Sequence, residues 1–245
     1  MPGDLLLHCG AREVSRDELN SIEAPPATRS WFPLKHGLVL DTVQNTLEGA
    51  GFQVTKCRMG LSRGNARFFG TLDLDAAIGT GIHLAVGIRN SMDKSFPLSF
   101  CAGHRTFVCD NLAFASELMV TRKHSKFGGQ RFEEGIAGAV QSLGQFREAE
   151  ARRITYMQGA GLSEDAANSY LLRAYEENLV TSRLLSAVIR EWREPRFEEF
   201  RPRTMFSLLN AFTTVLGQDR KVPQAQHAAH TMRLQRFLLP HTTTE

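Results

Sequence analysis

The segment Cys101-Ala-Gly-His104-Arg-Thr-Phe-Val-Cys109 puts two thiols and an imidazole within nine residues, and these are the groups that bind zinc. On a strand, however, Cys101 and Cys109 share one face and His104 points to the other, unless Gly103 forms a bulge. A fourth ligand at zinc-like spacing is also missing, so no metal site and no cofactor are expected. Cys109-Asp110-Asn111 lies where a strand is expected to give way to a helix. A helix N-terminus there would lower the thiol pKa and offer backbone donors to an oxyanion. With His104, His83 or His124 as base and Asn111 beside it, Cys109 is a candidate nucleophile of a hydrolase or transferase. The competing reading packs Cys109 as a small hydrophobe and leaves Asn111 as a helix cap.

A second chemical candidate is the polar turn Asn90-Ser91-Met92-Asp93-Lys94-Ser95, flanked by Arg89. Such a loop either binds phosphate through side chains and exposed N–H groups, or is a hairpin turn closed by its own Asx and Ser hydrogen bonds. Gly79-Thr80-Gly81 lacks the third glycine and the following helix of a dinucleotide fingerprint and reads as a turn.

The net charge of +3 conceals an alternation. Residues 1–50 carry 4 Lys/Arg against 7 Asp/Glu, and residues 51–126 carry 10 against 5. Residues 127–200 then carry 9 against 12, and residues 201–245 carry 6 against 2. Basic side chains grouped on one surface release counterions from a nucleic-acid backbone, whereas the plainer reading is a solvated surface of uneven sign. Arg67, Phe69, Arg89, Lys94, Arg105, Arg122 and Lys123 are the residues expected to meet phosphates and stack on bases of a single strand. A chain that is 42% hydrophobic and 22% charged over 245 residues is of globular type, without coiled-coil or disordered character. No run approaches the roughly 18 apolar residues of a membrane span. Four cysteines do not make a disulfide framework at this length, so a cytoplasmic protein with thiols and no membrane partner is expected.

These side chains need elements to position them. Ser15-Arg-Asp-Glu18 has capping-box spacing and opens a short helix that must stop before Pro25-Pro26. Gly37–Ala50 repeats apolar residues at three- and four-residue steps and reads as a helix. Four strands follow, over 52–59, 66–74, 81–90 and 98–109, with turns at 63–65 and 79–81. In the third of them Ile82, Leu84, Val86 and Ile88 share an apolar face, and His83, Ala85, Gly87 and Arg89 a small, basic one. A helix is expected over 111–118 and a last strand over 119–124. Beyond Phe132 the pattern is helical. Ile136, Val140 and Leu143 form one stripe, and a helix capped by Ser163 carries Leu171, Leu172, Tyr175 and Leu179 on its apolar side. Further helices are expected over 182–194, over 204–216 with Gly217 as the stop, and over 225–239.

The stretch from Leu84 through Asn90-Ser91-Met92-Asp93 to Ser95, with Arg105-Thr-Phe-Val-Cys109-Asp110-Asn111-Leu112 and Lys123-His124, resembles the phage/plasmid-like protein family catalogued as domain of unknown function 932. Leu209-Asn-Ala-Phe-Thr213 is similar to the C-terminal helix of that family, and Met92 stands where many members have His. The resemblance covers most of the chain and implies a mobile-element setting without an activity. The expected fold is α+β: a single domain over 1–245, with an N-terminal connector over 1–35. In a sheet-rich core over 36–126, a mainly antiparallel sheet over 52–124 packs on the Gly37–Ala50 helix, and a helical C-terminal half spans 127–245. The order of helix, consecutive strands and helix also resembles single-strand annealing proteins of phage recombination systems. Nucleic-acid binding, with single-stranded DNA as partner and a homo-oligomer as assembly, is therefore the leading expectation; the cysteine enzyme centred on Cys109 is the alternative.

Overall fold

The computed structural model describes residues 11–106, 111–218 and 224–238. Its elements are β1 (Arg12–Glu13), α1 (Arg16–Ser21), α2 (His36–Gly49), β2 (Val54–Leu61), β3 (Arg67–Gly79), β4 (Ile82–Ser91), β5 (Leu98–Thr106) and β6 (Asn111–Arg122). The helices α3 (Gly128–Gln141), α4 (Leu143–Gly159), α5 (Glu164–Glu176), α6 (Ser182–Arg193), α7 (Met205–Gln218) and α8 (Gln224–Leu238) follow. The fold is the expected α+β, with one antiparallel sheet in the strand order β1-β2-β3-β4-β5-β6, α1 and α2 before it, and α3 to α8 in the C-terminal half.

Local chemistry accounts for the joints. The Ser15 hydroxyl accepts from the Glu18 amide and starts α1, and the Ser163 hydroxyl does the same for α5 from Ala166. The β3–β4 hairpin turns through Gly81 at φ +69°, a conformation that disfavours any residue with a Cβ. α3 begins so close to the end of β6 that a Cβ on Gly128 would lie 2.2 Å from the Lys123 carbonyl oxygen, so only glycine fits there.

Register assigns the two sheet faces. Leu72, Val86 and Ala102 stand in one row, as do Gly70, Ile88 and Phe100, and this face includes the buried Ile82, Leu84, Val86 and Ile88. α2 packs against β2 and β4, α3 against β6 and α4 against β3. They cover the apolar face: His36 of α2 meets the Phe68 ring at 5.6 Å, and Glu150 of α4 reaches His104, the row partner of Leu84. The α2 helix therefore packs against the strand whose apolar residues were expected to meet it.

Several expectations need correction. Residues 111–118 are the first part of β6, not a helix. The local pattern was ambiguous, and pairing decides it, because β5 would otherwise leave a row of backbone N–H and C=O groups without partners. β6 absorbs three extra residues where Cys101 pairs Met119 but Gly103 pairs Phe114. The strand expected over 98–109 is described only to Thr106. Leu143 does not continue the Ile136 and Val140 stripe within one helix; the chain breaks at Ser142 and Leu143 opens α4. On α5, Leu171 is buried while Leu172 and Tyr175 face solvent. α7 runs through Gly217 rather than stopping at it. Among the described residues, no helix is long and apolar enough to cross a membrane.

Candidate nucleic-acid interface

The second sheet face is built in rows. Gly60, Phe69, Arg89, Ser99 and Thr121 stand side by side across β2 to β6, and the next row holds Arg58, Thr71, Gly87, Cys101 and Met119. Beyond it lie Lys56, Asp73, Ala85 and Gly103, then His83 with Arg105. Small residues at Ala85, Gly87 and Gly103 leave room for long side chains from neighbouring strands to lie along the sheet.

At the Phe69 end those side chains make an aromatic and basic cluster. The Arg89 guanidinium lies 5.3 Å from the Phe96 ring centre, and Phe96 meets Phe69 at 5.4 Å. Arg89 Nε donates to Ser99 Oγ at 3.1 Å, which aims the guanidinium, and burial lowers its pKa somewhat from a very high ordinary value. Arg67, half-exposed, donates from Nε to Asp93 Oδ2 at 2.8 Å. Lys94, in the left-handed region at φ 65°, places its Nζ 5.2 Å from the Trp31 ring centre. Four of the seven residues expected to contact nucleic acid, Arg67, Phe69, Arg89 and Lys94, thus lie together at this end of the sheet. Phe96 and Trp31 join them although no sequence pattern marks either; only the fold brings a loop residue 65 positions before Phe96 to the same turn.

The other three expected contacts do not join this cluster. Arg105 shares the face but is 1% exposed, with Nε 2.7 Å from Asp73 Oδ1, in ion-pair contact though out of line for a hydrogen bond. Its Nη2 donates to Thr71 Oγ1 at 3.2 Å, so this arginine reaches across β4 and is held inside. Arg122 belongs to the helix-covered face, paired with Leu98 and set beside Gly135 of α3. Lys123 is exposed just beyond β6.

The turn after β4 is closed by its own hydrogen bonds. Ser91 Oγ donates to the Phe96 carbonyl at 2.6 Å and accepts from the Phe96 amide at 3.2 Å, while Asp93 Oδ1 accepts from the Ser95 amide at 3.0 Å. Asp93 is lowered in pKa because the Ser95 and Arg67 bonds outweigh its desolvation. Asn90 lies wholly buried beneath the turn. Its Nδ2 donates to the Leu34 carbonyl and to His36 Nδ1, both at 2.9 Å, and its Oδ1 accepts from His124 Nε2 at 2.8 Å.

The alternative cysteine site loses its positioning element. Cys109 lies outside the described residues, and Asn111 opens a strand, so no helix over 111–118 is there to lower a thiol pKa or be capped by Asn111. His104 is buried on the apolar face, its Nδ1 2.7 Å from Glu150 Oε1. Cys101, on the opposite face, is pushed up to about 12 by burial and is a poor nucleophile at neutral pH. Among the described residues no group of three or more His, Cys, Asp or Glu is placed to hold a metal. Comparisons with protein-family models, curated proteins and solved structures find no match to this chain.

Proposed function

We propose that the chain binds single-stranded nucleic acid, DNA in the first instance, across the Arg67, Phe69, Arg89, Lys94 and Phe96 end of its second sheet face. The observation that carries this reading is the Arg89 guanidinium over the Phe96 ring and the tilted contact of Phe96 with Phe69, with Arg67 and Lys94 beside them. Aromatic faces take unpaired bases by stacking without regard to sequence, and the flanking cations follow the phosphates. A duplex hides its base faces and would offer only the electrostatic part. The motif likeness to phage/plasmid-like proteins and the element order of annealing proteins agree with a role in recombination or replication of a mobile element, several copies covering one strand. The two described cysteines are free thiols, as a reducing cytoplasm would keep them.

Titration of labelled oligonucleotides at low and moderate salt tests the proposal. Single strands are expected to bind more tightly than duplex, with an affinity that falls steeply as salt rises. Phe96→Ala is expected to cost about 1–3 kcal/mol of binding, the range for loss of one base–aromatic stack. Arg89→Ala should weaken binding and reduce the salt slope by about 1, whereas Arg122→Ala, on the covered face, should do neither. Absence of binding at low salt rejects the reading.

A further inference from the structure

The buried cluster around Asn90 connects parts of the chain far apart in sequence. His36 opens α2, Leu34 ends the strap that leads into it, Asn65 belongs to the β2–β3 turn, and His124 follows β6. The Phe32 amide also donates to the His124 carbonyl at 2.8 Å, and Trp31 in the same strap lies under Lys94. His36 and Asn90 are fully buried, and His124 nearly so.

The hydrogen bonds fix the protons on Asn90 and His36. Asn90 Nδ2 must donate, since one of its partners is the Leu34 carbonyl. His36 Nδ1, its other partner, must therefore accept, and His36 Nε2 carries the hydrogen donated to the Asn65 carbonyl at 2.9 Å. His36 is thus neutral, and a second proton on Nδ1 would face the Asn90 N–H with two donors and no acceptor. His124 differs, because its Nε2–H bond to Asn90 Oδ1 survives protonation at Nδ1. Rotating the Asn90 amide to accept from a charged His36 would turn its oxygen toward the Leu34 carbonyl and its N–H group toward the His124 N–H, breaking both bonds.

We propose that His36, through Asn90, is a proton-sensitive latch: while neutral it holds the Trp31–Leu34 strap against the strand ends, and its protonation releases the strap. The groups around it set the direction. Burial lowers the pKa of His36, the Asn65 carbonyl raises it, His124 lowers it further and Asp93 raises it, with a net value below the ordinary 6.5. His124 is lowered by burial as well. Asp93 is itself engaged by Arg67, Asn65 Oδ1 accepts from Arg12, and the chain neighbours Lys35 and Lys123 are exposed, Lys35 paired with Glu23. The first turn of α3, next to His124, brings no acidic group. A basic group held below its unfolded value contributes stability above that value and loses it as pH falls. The latch is therefore closed at neutral pH and opens in mild acid. Because Trp31 of the released strap lies against Lys94, acid should also alter strand binding, a consequence that rests on the proposed interface.

Hydrogen exchange of the full chain at about pH 7.5 and about pH 5.5, corrected for intrinsic rates, tests the latch. Residues 28–35 are expected to lose protection by up to about tenfold in acid while α5 and α6 keep theirs. His36→Gln, which retains a donor toward Asn65 but does not titrate, should show no such loss. Should that variant fold poorly, a side-chain NMR titration of His36 in the native chain serves instead, and the loss of protection must follow its protonation. Unchanged protection in acid, loss in His36→Gln equal to that of the native chain, or loss that follows another group overturns the latch. Affinity for a labelled single strand is measured at both pH values. Loss of protection with no strand binding at either pH keeps the latch and rejects the interface.

Discussion

Arg89 and Arg105 stand on neighbouring strands of one sheet face, two rows of small residues apart, and their surroundings give them different work. Arg89 is half-buried and stacked beside the cluster of exposed cations, while Arg105 is closed in with Asp73. Removing one member of a buried ion pair strands the other charge, so Arg105→Ala is expected to cost about 3–5 kcal/mol of stability in urea unfolding. The double change Arg105→Met with Asp73→Leu should recover most of it. The sequence could mark both arginines as basic residues of a strand. It could not show that Asp73, on β3, faces the row beside Arg105, because that depends on the register of three strands. Across the sheet, burial raises Glu150 but the bonds from His104 and Arg153 prevail and hold its carboxyl below the ordinary 4.5. Its ionised form contributes stability above that value, lost as pH falls through the folded-state value. Glu150→Gln is therefore expected to flatten the acid limb of the stability profile between those two values.

Among the elements, β3 and β4 were legible because alternation and turn residues agreed, and α2 because its apolar stripe matched the helical period. β6 was not, since Leu112-Ala-Phe114 fits either period and the deciding bonds come from β5, outside any local window. The rotation of α5 was half legible: Ser163 marked its start, but Leu171 and Leu172 compete for the core and only packing chooses between them. Leu171 is 2% exposed and Leu172 56%. Leu171→Ala is expected to lower stability by about 2–5 kcal/mol by transfer and cavity terms, and Leu172→Ala to change it by less than about 0.5 kcal/mol. Ser163→Ala should cost about 0.5–2 kcal/mol through loss of the cap. Thermal or denaturant melts of the three variants check the assignment.

In the whole molecule, one cluster of buried side chains runs from Val14 through the sheet to Leu238. A chain with one such core should unfold in a single transition, with far-ultraviolet circular dichroism and the fluorescence of the buried Trp192 changing together in urea. Separate midpoints would mean that the sheet and the helices are held independently. The fold class was legible because strands cluster in one half of the chain and helices in the other. The interface was legible only as a list of basic and aromatic residues, since which of them share a face and which stay accessible is decided by strand register and packing. α7 bears on how the chain comes into being. All its residues from Met205 to Leu216 are buried, and it packs on α4, α6, α8 and β6. The strands can pair in the order in which they leave the ribosome, each beside the one before it. The core is nonetheless incomplete until α7 is made, and at about 5–20 residues per second the 96 residues from Arg122 to Gln218 take roughly 5–20 s to make. For that interval the surfaces of β6, α4 and α6 that α7 comes to cover stay greasy and exposed, which is the kind of substrate that co-translational chaperones hold.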